Sequence, residues 1–96
     1  MVEHIVLFKP REGVTEEQVN GFIERLKGLK DRIDGIVDLQ AGKTFTDRSQ
    51  GYTIGLTVRF TGRAALEAYG PHPEHQKVVA AAREIAADLI AVDFEI

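Results

Sequence analysis

Cysteine is absent from this chain of 96 residues, which excludes disulfides, thiolate metal sites and thiol nucleophiles. An excess of positive charge is also lacking. Twelve Lys and Arg stand against fifteen Asp and Glu, giving a net charge of −3, and no window is dominated by basic residues. A nucleic-acid partner is therefore not expected, because phosphate binding needs a clustered positive surface. Long apolar runs are missing too. The stretch Ile5 to Phe8 is far too short for a membrane span or a secretion signal, and the Met1-Val2-Glu3-His4 before it carries no positive segment. No membrane partner is expected, and the cytoplasm is the expected location. The glycines do not form a phosphate-binding loop, and no serine, thiol or metal motif marks a nucleophilic hydrolase. No cofactor is expected.

What is present is a foldable balance, 44% hydrophobic and 28% charged, in a length that fits one domain over residues 1–96. A chain this short buries only about two-thirds of its unfolded surface, so its core is thin and an apolar sheet face left in water is a serious loss.

The pattern predicts six main elements. Val2 to Lys9 reads as a strand that ends at Pro10, with His4, Val6 and Phe8 on one face and Ile5 and Leu7 on the other. Thr15 reads as a helix cap with Gln18 completing a capping box. Val19, Phe22, Ile23, Leu26, Leu29 and Ile33 then recur at helical spacing up to Asp34-Gly35. Strands are expected over Ile36 to Phe45 and Tyr52 to Phe60, joined by a polar loop. A short helix follows from Gly62 to Tyr69, broken by Gly70-Pro71. His72 caps a new helix begun by Pro73, whose apolar stripe runs Val78, Val79, Ala82, Ile85, Ala86, Leu89. Ile90 to Ile96 closes as a strand.

This order, β-α-β-β-α-β, predicts an α+β ferredoxin-like fold with a four-stranded antiparallel sheet and the helices on one face. The helices are expected to cover Leu56, Val58, Val92 and Phe94. The far face is expected to carry Ile5 and Leu7 beside Thr53, Gly55, Thr57 and Ala91. A first strand apolar on both sides predicts a homodimer in which two open sheet faces close a barrel.

Chemistry is concentrated in Tyr69-Gly70-Pro71-His72-Pro73-Glu74-His75. His75 falls in the first turn of a helix, whose positive end disfavours imidazolium, so a neutral imidazole able to accept a proton is expected. Tyr69 offers a phenol that can stabilise an enolate, and the pair suits proton abstraction beside a carbonyl. The same residues also have structural readings: His72 as a cap, Tyr69 as a core aromatic, His4 as a hydrogen-bonded core residue. His72 and His75, three apart, lack a third protein ligand for zinc, and no metal site is expected.

His4-Ile5-Val6-Leu7-Phe8-Lys9, Gly51-Tyr52-Thr53-Ile54-Gly55-Leu56, Tyr69 with His72-Pro73-Glu74-His75, and Asp93-Phe94-Glu95, in that order, resemble the stress-responsive α/β-barrel domain family. The resemblance covers nearly the whole chain and implies a homodimeric ferredoxin-like barrel. Most members have no assigned activity. One, a plant polyketide cyclase, closes a linear substrate by aldol condensation without a cofactor. By that resemblance His75 matches its catalytic histidine and Tyr69 its tyrosine, while His4 and His72 match two further histidines. The cyclase's polar residues in strand three and helix one are replaced here by Ile54 and Leu26. Two functions follow as expectations. One is a binding protein with an apolar pocket. The other is a cofactor-free cyclase or aldol-type lyase acting on a small apolar carbonyl compound. The expected catalytic residues are His75, Tyr69 and His4, with Ile23, Leu26, Ile54, Leu56 and His72 around the ligand.

Overall fold

A computed structural model describes residues 1–96. In chain order the elements are β1 (Val2–Pro10), α1 (Glu16–Lys27), a 3-10 turn (Gly28–Asp31), β2 (Ile36–Lys43), β3 (Ile54–Phe60), α2 (Arg63–Tyr69), α3 (Pro73–Ile85) and β4 (Ala86–Glu95). The sheet runs β2-β3-β1-β4, antiparallel throughout. The helices lie over one face of a ferredoxin-like α+β fold.

Local chemistry accounts for the helix starts. Thr15 accepts the backbone N–H of Gln18, and the Gln18 side chain accepts that of Thr15, so two otherwise orphaned donors are satisfied. At α3, His72 Nδ1 accepts the Glu74 N–H at 3.1 Å, and Pro73, which has no N–H to satisfy, follows directly. The first helix is shorter than its apolar stripe. It tightens to 3-10 geometry from Gly28, and Leu29 and Ile33 are buried from there. Gly35 then turns the chain at φ +91°, where a Cβ would come within 2.7 Å of the Ala65 side chain; only glycine fits both demands. Phe60, Leu26, Leu29, Ile54 and Val58 are the deepest core side chains, and Phe8 meets Phe22 edge-on at 5.1 Å.

Three expectations are corrected. The hairpin strands are shorter than their pattern suggests: β2 stops at Lys43, leaving Phe45 outside it and exposed, and β3 begins at Ile54. The last helix ends at Ile85, so Ala86 and Leu89 belong to β4. Pairing with β1 sets the parity of that strand. Val92 lies opposite Ile5, Ile90 opposite Leu7 and Phe94 opposite Glu3, while Ala91 lies opposite Val6 and Asp93 opposite His4. Val92 and Phe94 therefore share the open face with Ile5 and Leu7, and Ala91 faces the helices, the reverse of the sequence reading. The open face is more apolar as a result: Ile90, Val92 and Phe94 are 50%, 54% and 45% exposed. No helix is long and apolar enough to cross a membrane.

Candidate functional site

The site begins where α2 hands over to α3. The Gly70-Pro71 break turns the chain, and the His72 N–H donates to the Tyr69 carbonyl at 3.1 Å. This brings the last side chain of α2 onto the first turn of α3, so that the Tyr69 and His75 rings lie 4.0 Å apart between centroids, tilted by 36°.

His75 is half-buried. Its Nδ1–H donates to the Gly70 carbonyl at 2.9 Å, and Gln76 Nε2 donates to the same oxygen at 2.8 Å. A carbonyl can only accept, so the proton sits on Nδ1 and the lone pair of the neutral ring on Nε2. Burial lowers the imidazole pKa below its ordinary value. The nearby His4 and His72 push the same way against the opposing Gly70 hydrogen bond.

Tyr69 is 2% exposed, packed edge-on against Phe60 at 5.0 Å and His4 at 5.8 Å. Burial pushes its phenol up to about 12, so it stays protonated and serves as a donor. His4 Nδ1 is hydrogen-bonded to the Asp93 carboxylate on the neighbouring strand. That contact fixes the ring and directs its other nitrogen away from the carboxylate.

His4, Tyr69 and His75 all border one cavity of about 540 Å³ between α3 and the outer half of the sheet, within the size range of small-molecule sites. Small side chains create it. Ala82, Ala86, Ala87 and Ala91 lie on the facing elements α3 and β4 and leave a gap that bulkier residues would close. Twelve of its seventeen lining residues are apolar, which suits a ligand with an apolar body.

Leu26 and Leu56 line this cavity as well; Ile23, Ile54 and His72 do not. Ile23 and Ile54 are spent in the core, and the His72 ring is turned onto the α3 backbone as a cap. No group of three or more His, Asp or Glu side chains is arranged to hold a metal ion. Sequence reasoning missed Asp93, Phe8, Val78 and Ala91. The signal that finds Asp93 and Ala91 is the parity of β4 against β1, which places them beside His4 and Val6.

Residues 2–96 match the sequence profile of the family described as Stress responsive A/B Barrel Domain. The chain is 33% identical over 97 residues to an uncharacterised protein of Streptomyces coelicolor, with 99% of each covered. It is 31% identical over 98 residues to a stress-response A/B barrel domain-containing protein of Arabidopsis thaliana, covering 98% of this chain but 46% of that protein. The chain thus spans about half the length of that relative. Olivetolic acid cyclase of Cannabis sativa is 29% identical over 76 residues, covering 77% of this chain and 75% of the cyclase. Among solved structures, a dimeric ferredoxin-like protein of unknown function from Bacteroides fragilis superposes with a TM-score of 0.85 at 29% identity, covering 99% and 95% of the two chains. A dimeric counterpart from Thermobifida fusca gives 0.89 at 27%, covering 99% and 90%.

Proposed function

The chain belongs to the stress-responsive A/B barrel domain family, and from that premise we propose that it forms a homodimeric α+β barrel. In this reading it binds a small, largely apolar carbonyl compound in the cavity between α3 and β4, and moves a proton beside that carbonyl without a cofactor. The observation that carries the proposal is the pairing, on one apolar cavity, of a neutral imidazole protonated on Nδ1 with a protonated, buried tyrosine whose ring centroid lies 4.0 Å from its own.

The chemistry follows from that pair. His75 Nε2 takes a proton from the carbon next to the carbonyl; the C–H electron pair moves toward the carbonyl, and the oxygen becomes an enolate. The Tyr69 hydroxyl donates a hydrogen bond to that oxygen, stabilising charge that exists only as the reaction proceeds. His4, held by Asp93, keeps the tyrosine ring in place. If the enolate carbon adds to a second carbonyl of the same molecule, a C–C bond forms and the His75 imidazolium returns its proton to the new alkoxide, giving an aldol ring closure. The reverse sequence is a lyase reaction. Similarity to a cyclase supports this reading.

Proton exchange on an apolar ketone such as 2-nonanone in D2O, followed by NMR, tests the proposal directly. Wild-type protein is expected to accelerate exchange at the carbons flanking the carbonyl. His75→Ala is expected to lose about 10²–10⁴-fold, the usual size of general-base catalysis, and Tyr69→Phe about 10²–10³-fold, the size of one lost oxyanion donor.

A second reading, ligand binding without turnover, is favoured by the depth at which Tyr69 packs against Phe60. It wins if the ketone binds saturably and exchanges no faster than in buffer.

The homodimer is supported by the dimeric neighbours and by the exposed row Ile90, Val92 and Phe94. On the same sheet face lies a shallow hollow of about 400 Å³ over Gly42, Gly55 and Thr57. In the proposed two-fold dimer this row and this hollow belong to the one patch that both copies present to each other.

A further inference from the structure

We infer that the cavity selects ligands with an anionic terminus, held at its outer end by Arg11 and Arg83; this rests on the cavity being the ligand site proposed above. Both arginines border the cavity, and neither has a carboxylate within ion-pair distance. Arg11 does not float free. Its backbone N–H donates to the Ile85 carbonyl at 2.8 Å and its Nη2 to the Arg83 carbonyl at 3.0 Å, so its guanidinium is tied to the C-terminal turn of α3 at the cavity margin.

Asp88 is the one acidic side chain that lines the cavity, and it is already hydrogen-bonded. Asp88, also on the margin, accepts from the Tyr52 hydroxyl at 2.7 Å and from the Leu89 N–H at 2.9 Å. Lys9, which lies over the Tyr52 ring, offsets its charge. Asp93 is held by His4. The cavity lining thus carries two guanidinium groups without an ion-pair partner against one hydrogen-bonded carboxylate, and planar guanidinium suits carboxylate and phosphate oxygens alike.

The spacing adds a length requirement. Arg83 follows His75 by eight residues on α3, a rise of roughly 12 Å at 1.5 Å per residue. Val78, Val79 and Ala82 on α3, and Phe8 and Leu89 across the cavity, form the intervening wall. A molecule with its carbonyl at His75 and Tyr69, an apolar span of that length, and a carboxylate or phosphate at the arginines meets every part of the cavity with matching chemistry.

Calorimetric binding of decanoate, decyl phosphate and 1-decanol to the full 96-residue chain tests this, since the three share a tail and differ in head group. At least one anion is expected to bind tenfold or more tightly than the alcohol, and the better of the two identifies the head group as carboxylate or phosphate. The preference should fall toward unity in Arg11→Gln/Arg83→Gln and survive largely in Arg11→Lys/Arg83→Lys. The lysine pair guards against a folding defect, because Arg11 also satisfies a helix-end carbonyl. Equal binding of alcohol and anions by the wild-type protein, an undiminished preference in the glutamine pair, or no saturable binding of any of the three overturns the inference. The two readings fail separately. Wild-type protein that prefers the anions but exchanges no ketone proton loses only proton transfer, whereas protein that exchanges without an anion preference loses only this inference.

Discussion

The chemistry proposed for the cavity comes down to one lone pair on His75. The Gly70 carbonyl commits the ring proton to Nδ1, and burial disfavours a second proton. The sign of the pH dependence follows. Ketone exchange by wild-type protein should rise through an acid limb centred below the ordinary histidine value of 6.5. It should then stay level through mildly alkaline pH, because the Tyr69 phenol keeps its proton until about 12. Stability carries the same signature. A histidine whose folded pKa lies below its unfolded value holds fewer protons folded than unfolded, so its contribution is present above 6.5 and is lost as pH falls toward the folded value. Melting curves between about pH 5 and pH 8 should therefore show a drop on the acid side in wild-type protein that is smaller in His75→Gln. An NMR titration placing the His75 pKa above 6.5 would contradict both expectations.

At the scale of elements, the cavity is a consequence of alanines on α3 and β4 rather than of any loop. Ala91 faces the helices opposite Val6 and borders the cavity, so Ala91→Leu should fill part of it. Because Ala91 is exposed toward the cavity, the added side chain gains burial without forcing the core. About 1 kcal/mol of added burial corresponds to a melting temperature higher by about 4–8 °C, with ketone binding weakened at least tenfold. A lower melting temperature with binding intact would mean that the cavity wall lies elsewhere.

The same stretch shows what could and could not be read from residues alone. Thr15 with Gln18 and His72 with Pro73 are local signals, satisfied within three residues, and both helix starts were legible for that reason. The end of α3 was not. Residues 78–89 fit a helical stripe, no glycine or proline interrupts them, and alanine favours helix. The chain nevertheless leaves the helix at Ala86, at φ −101° and ψ 130°, because β1 pairs with Ala86 and, past a register shift that skips Ala87, with Asp88 through Glu95. That long-range pairing overrides local propensity. Its parity moved Val92 and Phe94 to the open face and placed Asp93 against His4. The grouping of Tyr69, His75 and His4 was legible because it depends on local turns and on β1; Asp93 and Ala91 depend on the register of β4, and the meeting of Arg11 with Arg83 on where the end of α3 lies against β1.

For the whole molecule, position of the cavity and assembly are linked through β4. This strand has a neighbour on one side only, β1, and α3 covers little of it: nine of its ten residues are exposed. One face of it, through Leu89, Ala91 and the Asp93–His4 contact, shapes the cavity. The other, through Ile90, Val92 and Phe94, is the apolar row that a second copy would cover. Covering that row removes apolar surface from water and also holds the strand whose inner face forms the cavity wall. Val92→Lys places a charge in the middle of the row, where desolvating it has no compensating partner. The wild-type protein should therefore scatter light as a dimer at micromolar concentration, with a melting temperature that rises with concentration. The Val92→Lys variant should scatter as a monomer, melt independently of concentration, and bind ketone more weakly although residue 92 points away from the cavity. Weakened binding with the dimer intact would separate the two faces of β4, and a wild-type monomer would remove the second copy from the account altogether.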